Sequence, residues 1–218
     1  MQNTEVSTLP VENTSIVACG TLRQEIKRLA DEGRLDADRV LYTGPGLHER
    51  PDELESQLTR QLGKVCGDST RVVVAYGHKC FVDICDPTRD TEALIRQACP
   101  HAVRTGADNC VDMLADQAER ERLASGAKVY WLTPGWLRHW DTIFKEWDQA
   151  KANETFPQHD RAVVLDGVDF FNEFSAAEPE RLLEISDWMR LPIEAVPVSL
   201  DRLRNLLAEA AGRPETGG

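Results

Sequence analysis

The sequence predicts an α/β fold: one domain, three-layered and Rossmann-like, with a largely parallel sheet of about six to seven strands. Two observations carry this. Short β-branched runs alternate with amphipathic helical patterns seven times along the chain, and parallel neighbours need a crossover of this kind between them. The runs also have strand length; the clearest is Val72-Val73-Val74-Ala75-Tyr76.

The units follow in order. SIVACG precedes TLRQEIKRLADEG, and RVLYTG precedes PDELESQLTRQLGKV. In the second helix Pro51 stands where a first-turn proline sacrifices no hydrogen bond, and Leu54, Leu58 and Leu62 recur on one face. TRVVVAYG leads to TEALIRQAC, and HAVRTG to CVDMLADQAERERLAS. KVYWLTPG opens a helix whose Trp136, Trp140, Ile143, Phe144 and Trp147 form an apolar stripe suited to a core. RAVVLDG precedes PERLLEISDWM, and EAVPV precedes LDRLRNLLAEA. Residues 1–13 and 212–218 carry no period and read as flexible tails, which leaves 14–211 as a single α/β domain.

Composition removes whole classes of function. Lys plus Arg number 25 against 37 Asp plus Glu, a net charge of −12, so neither nucleic acid nor an anionic membrane surface is an expected partner. No apolar run approaches the roughly 18 residues of a membrane span. The first twenty residues lack a basic segment and a continuous apolar segment, so no secretory signal is expected; Ile16-Val17-Ala18-Cys19 imitates a lipoprotein box without the inserting segment such a box requires. The expected compartment is the cytoplasm, where thiols stay reduced.

In open α/β sheets ligands bind beyond the carboxyl ends of the strands. The residues there are Cys19 and Gly20 after the first strand; Tyr76, Gly77, His78, Lys79 and Cys80 after the third; Gly106, Asp108, Asn109 and Cys110 after the fourth; Tyr130, Trp131 and Thr133 after the fifth; and Asp166 and Gly167 after the sixth. Cys19, Cys80 and Cys110 therefore belong to three separate strand ends on one edge. Thiolates bind soft metals and iron–sulfur clusters, and three of them leave a position open. The chain thus has a candidate site for a metal ion or iron–sulfur cluster, zinc included, with Cys85 able to join and with Gly20, Tyr76, Gly77, Asn109, Thr133 and His139 as candidate lining. His78 is a candidate fourth ligand or proton carrier, and Asp108 a second proton carrier. Reactive thiols without metal, and cysteines packed as small hydrophobes, remain alternatives. Cys66 stands alone in the sequence, Cys99 reads as the buried face of its helix, His101 precedes a strand at the opposite end, and His48 and His159 read as surface. The chain has no GxGxxG, GxxxxGK[ST], HExxH or GxSxG motif.

IVACGTL, VVVAYG followed by a cysteine, TEALIRQACPHAVRTGADNCVDMLAD and above all YWLTPGWLRHWD resemble the domain-of-unknown-function 1638 family over roughly residues 15–205. The resemblance implies a small cytoplasmic α/β protein whose recurring cysteines match Cys19, Cys80 and Cys110. It also implies an association with corrinoid-dependent methyltransferases, and hence a corrinoid protein or methyltransferase as partner. Two departures stand out. The family pattern is YGxCG where this chain has YGHKC, and it sets a histidine before the last cysteine where this chain has Asp108-Asn109. Cys85, His78 or an exogenous group then become the replacement ligand. An accessory docking module and a thiol–disulfide protein using Cys19–Cys80 or Cys80–Cys85 are the other functions these residues suggest.

Overall fold

A computed structural model describes residues 13–83, 85, 86 and 88–212. All seven strand runs form strands: β1 (Thr14–Ala18), β2 (Arg39–Tyr42), β3 (Arg71–Ala75), β4 (Ala102–Arg104), β5 (Val129–Leu132), β6 (Arg161–Asp166) and β7 (Ile193–Pro197). Every pairing among them is parallel.

The expected sheet of six to seven strands is instead two sheets, one of four strands in the order β2-β1-β3-β4 and one of three in the order β5-β6-β7. Alternation within a run sets which face of a strand is buried and not which strand lies alongside, so the pattern left this division open. The first sheet ends at β4, an edge strand of three residues, whose Arg104 guanidinium bonds the carbonyls of Tyr76, Thr105 and Ala107.

In the first sheet side chains alternate between two cores. Ile16, Ala18, Val73 and Ala75 face one side, where α1 (Arg23–Asp31), α4 (Cys110–Leu114) and α11 (Asp201–Gly212) pack. Val17, Val72, Val74 and Tyr76 face the other, against α2 (Pro51–Gly63) and α3 (Thr91–Ala98). Leu54, Leu58 and Leu62 are all fully buried there, as their spacing requires. Leu165 of β6 joins the α1 and α11 core, so both sheets share it. The tryptophan stripe lies in a third cluster with Phe156, Phe170 and Ile185, against the second sheet.

Helix ends have local causes that the periodicity missed. CVDMLADQAERERLAS divides into α4 and α5 (Gln117–Ala124) because Asp116, in extended backbone, accepts a hydrogen bond from the Glu119 amide at 2.9 Å and starts a new helix. The stripe segment divides at His139 into α6 (Pro134–Arg138) and α7 (Trp140–Ile143). Three further helices complete the second half: α8 (Gln149–Thr155), α9 (Phe170–Ala177) and α10 (Pro179–Met189). Of these, α8 and α9 were not expected from the pattern. Asp166 anchors α9 by accepting from the amides of Val168, Phe170 and Phe171 at 2.8–3.1 Å. Of the expected tails, residues 1–12 and 213–218 lie outside the described residues, while Gly212 closes α11. No described helix is long and apolar enough to cross a membrane.

Three strand-end glycines set the spacing of the loops. A Cβ on Gly77 would lie 2.0 Å from the Asp108 carbonyl oxygen, one on Gly135 2.0 Å from that of Thr21, and one on Gly20 2.6 Å from that of Thr43. Each is a direct backbone contact between segments far apart in sequence. Gly135→Ala is therefore expected to destabilise the fold by about 1–3 kcal/mol, whereas Gly63→Ala, with open space around it, should be neutral or slightly stabilising. Chemical denaturation of the two variants beside the parent checks the contrast, and equal effects would remove the packing role assigned to Gly135.

Candidate functional site

The chain runs from β1 to β2 on one side and from β3 to β4 on the other, with β1 and β3 adjacent. The crevice between the carboxyl ends of β1 and β3 is thus the point where strand order reverses, the usual binding position of such sheets. A cavity of about 360 Å³ opens there, within the ~300–1,000 Å³ range of small-ligand sites.

Its wall holds Cys19, Cys80 and Cys110 together. Cys19 follows β1 and is buried; its sulfur accepts a hydrogen bond from the Thr21 hydroxyl at 3.1 Å. Cys80 ends the short 3-10 turn His78–Cys80 that leaves β3, and Cys110 is the first residue of α4. Tyr76 and Gly77 of β3's carboxyl end line the same wall. The Tyr76 hydroxyl pairs with Thr43 and lies beside the Cys19 thiol. Asn109 also borders the cavity, but its side-chain oxygen is committed to capping α4, accepting from the Asp112 amide at 2.9 Å.

Other sequence candidates fall elsewhere. His78 is half exposed, off the wall, with Nδ1 3.1 Å from Asp108 Oδ1. Asp108 also pairs with Lys79 at 2.5 Å, and this hydrogen bond above all holds its carboxyl below the usual carboxylate range. That favours a fixed charge over a group that takes up protons near neutrality. Cys85 is exposed and off the wall. Gly20 serves the backbone contact with Thr43. Thr133 is buried ahead of α6, and His139 forms the joint between α6 and α7; neither lines the cavity.

Several wall residues escaped the sequence reading. His48, expected on the surface, lines the cavity and packs on Trp136 with ring centroids 5.2 Å apart. Trp136, read as core, lines the side contributed by the second half together with Tyr130 and Trp131, which the strand-end reading did name, and Met113 and Val111 come from α4. In a chain of 37 acidic residues, the wall carries, among the described residues, Lys79 and Arg120 and no carboxylate. Each cation is paired with an aspartate off the wall, Asp108 and Asp112 respectively.

Burial and nearby thiols keep Cys80 and Cys110 protonated. Burial, then Cys110 and Cys19, push the Cys80 thiol far up. Burial, then Cys19, push Cys110 up to about 12, against Trp136 and Thr21 nearby, which favour the anion. The three sulfurs are nonetheless spread around the cavity. Among the described residues, the group of three His, Cys, Asp or Glu donors whose ligand atoms all lie within 4.8 Å of one another is Cys66, Cys99 and His101. Cys66 and Cys99 are joined as a disulfide, a correction to the expectation of an isolated Cys66 and uniformly reduced thiols.

Behind Cys110 lies Glu25 of α1, fully buried with neither carboxylate oxygen hydrogen-bonded. Its position between Leu22 and Leu29 on the apolar face of the helix was the available signal. Burial first, with Asp166 nearby, raises its pKa from 4.5 to about 8. The folded protein therefore holds a proton that the unfolded chain releases between these values, and stability falls as pH rises through that window. Glu25→Gln is expected to remove this slope, so that its melting temperature gains on the parent's from about pH 5 to about pH 8. Thermal melts across that range check it, and parallel profiles would rule out a neutral buried carboxyl.

A family model described as "Protein of unknown function (DUF1638)" matches residues 42–207. The matched stretch includes Cys80 and Cys110, and Cys19 precedes it. No curated protein and no solved structure matches the chain. With its two parallel sheets, its cysteine-lined cavity at the strand-order reversal and a match over most of its length, the chain belongs to the DUF1638 family.

Proposed function

We propose that the cavity holds an iron–sulfur cluster or metal centre ligated by Cys19, Cys80 and Cys110. The observation that carries this reading is the convergence of three thiols from three strand ends on one wall. A multinuclear cluster fits better than a single zinc ion. Tetrahedral zinc bonds of about 2.3 Å hold thiolate sulfurs a little under 4 Å apart, and these three sulfurs do not form so close a group. In a cluster the thiolates attach to different irons and are spread more widely.

The surroundings suit a negatively charged, thiolate-bound centre. Among the described residues the wall offers cations and no carboxylate, and the Thr21 hydroxyl donates to the Cys19 sulfur. A bound cation reverses the pKa logic of the empty thiols and makes the thiolates its ligands. Three ligands leave one position for a substrate or exogenous group, and the centre would supply Lewis-acid or electron-transfer chemistry there. Tyr76 holds the Cys19 side of the wall through Thr43, while Tyr130, Trp131 and Trp136 limit water access from the other half. The setting we propose, on the family resemblance, is corrinoid-dependent one-carbon methyl transfer in the cytoplasm, with a corrinoid protein or methyltransferase as partner.

Elemental analysis and an absorption spectrum of the anaerobically purified chain test the proposal. Stoichiometric iron with broad visible charge-transfer absorption is expected. Cys19→Ser, Cys80→Ser and Cys110→Ser should each lower bound iron at least tenfold, while Cys85→Ser leaves it unchanged. Iron, zinc and cobalt all absent from the parent, or a centre retained by the folded triple variant, would overturn the reading.

A further inference from the structure

The end of the first sheet opposite the cavity carries a second set of donors. Cys66 follows α2 and leads into β3, and Cys99 ends α3 just before His101 and β4, so all three lie at the amino ends of strands. The disulfide brings the Cys66 and Cys99 Cα atoms to 5.6 Å. Cys99 is fully buried, while Cys66 and His101 are partly exposed. His101 Nδ1 lies 3.9 Å from Cys66 Sγ and 3.8 Å from Cys99 Sγ, and its Nε2 also lies 3.8 Å from Cys99 Sγ. Among the described residues the ring makes no other hydrogen bond.

A disulfide that only tied α2 to α3 would need no imidazole against both of its sulfurs. Two sulfurs and one imidazole nitrogen are three quarters of a tetrahedral soft-metal site. Bonds of about 2.3 Å to sulfur and about 2.0 Å to nitrogen separate such S and N donors by roughly 3.6 Å, close to the 3.8–3.9 Å seen here. We propose that reduced Cys66 and Cys99, with His101, bind a zinc-class divalent ion, leaving one position for water.

The chemistry balances. A dithiol reductant gives two electrons and two protons to the Cys66–Cys99 bond and is itself oxidised to a disulfide. The two thiols then release their protons to solvent as the divalent ion binds two thiolates, which cancel its charge. The ends of α2 and α3 are joined in either state, by a sulfur–sulfur bond when oxidised and by a metal bridge when reduced. This makes the crosslink compatible with a compartment that keeps thiols reduced.

The site shares no residue with the cysteine cavity, so the two proposals can be tested separately. The full chain carrying Cys19→Ser, Cys80→Ser and Cys110→Ser is reduced with dithiothreitol, desalted anaerobically and titrated with Co²⁺. One equivalent should bind with thiolate-to-cobalt charge-transfer and tetrahedral ligand-field bands, and Zn²⁺ should displace it. Adding Cys66→Ser or His101→Ala should weaken binding at least tenfold. The unmodified reduced chain gives a second reading that does not depend on the triple variant folding. There Zn²⁺ should slow alkylation of Cys66 at least tenfold, and His101→Ala should abolish that protection while the iron content of the cavity stays the same. Alkylation of Cys66 at one rate with and without zinc, or cobalt bound as tightly after His101→Ala, would leave a plain disulfide and overturn the proposal.

Discussion

The cysteine cavity depends on peptide segments running in direct backbone contact. Gly77 lies against Asp108 and Asn109, Gly20 against Thr43 and its neighbours, and Gly135 against Thr21. The first contact brings the Cys80 turn to the start of α4, where Cys110 sits. The third seats α6, and with it Trp136, on the turn that follows Cys19. Any side chain at these positions would push the strand-end loops apart, and the thiols with them. Glycine here is selected by the absence of a Cβ, since none of the three has positive φ.

Electrostatically the molecule has an acidic exterior and a differently composed cavity. The net charge of −12 is carried largely by helix faces and loops, where many acids pair with nearby arginines or lysines. At the cavity Lys79 and Arg120 line the wall, and each pairs with an aspartate that does not, Asp108 and Asp112. The buried Glu25 adds no negative charge near neutrality because it keeps its proton. Burial holds the Cys80 and Cys110 thiols in their protonated, weakly nucleophilic form.

Periodicity located all seven strands because each is a short apolar run between turn residues, and strand-end position alone was enough to bring Cys19, Cys80 and Cys110 to one wall. It did not show the division into two sheets, since alternation within a run says which face is buried and nothing about which strand lies alongside. Splitting of the long helical patterns at Asp116 and His139 depended on single residues whose side chain or backbone angle ends a helix. His48 escaped because a loop histidine among charges looks solvated until Trp136, almost ninety positions away, is found beneath it. The Cys66–Cys99 pair was hidden for a related reason: it depends on where α2 and α3 happen to end beside each other, a tertiary fact with no spacing rule.

The last helix has a bearing on how the chain is made. Leu203, Leu206, Leu207, Ala210 and Ala211 of α11 fill the core that lines one face of the first sheet, and Arg202 reaches the Asp112 carbonyl and carboxylate of α4. Strands β1 to β4 are thus synthesised well before the last of the helices that cover them. On the ribosome the N-terminal half emerges with this face covered by α1 and α4 but not by α11, and part of it stays exposed until α11 has left the exit tunnel. Closing so long a loop places the completion of this core late in folding. Because Cys110 opens α4, the helix that Arg202 holds, the cavity is completed only after α11 has been translated.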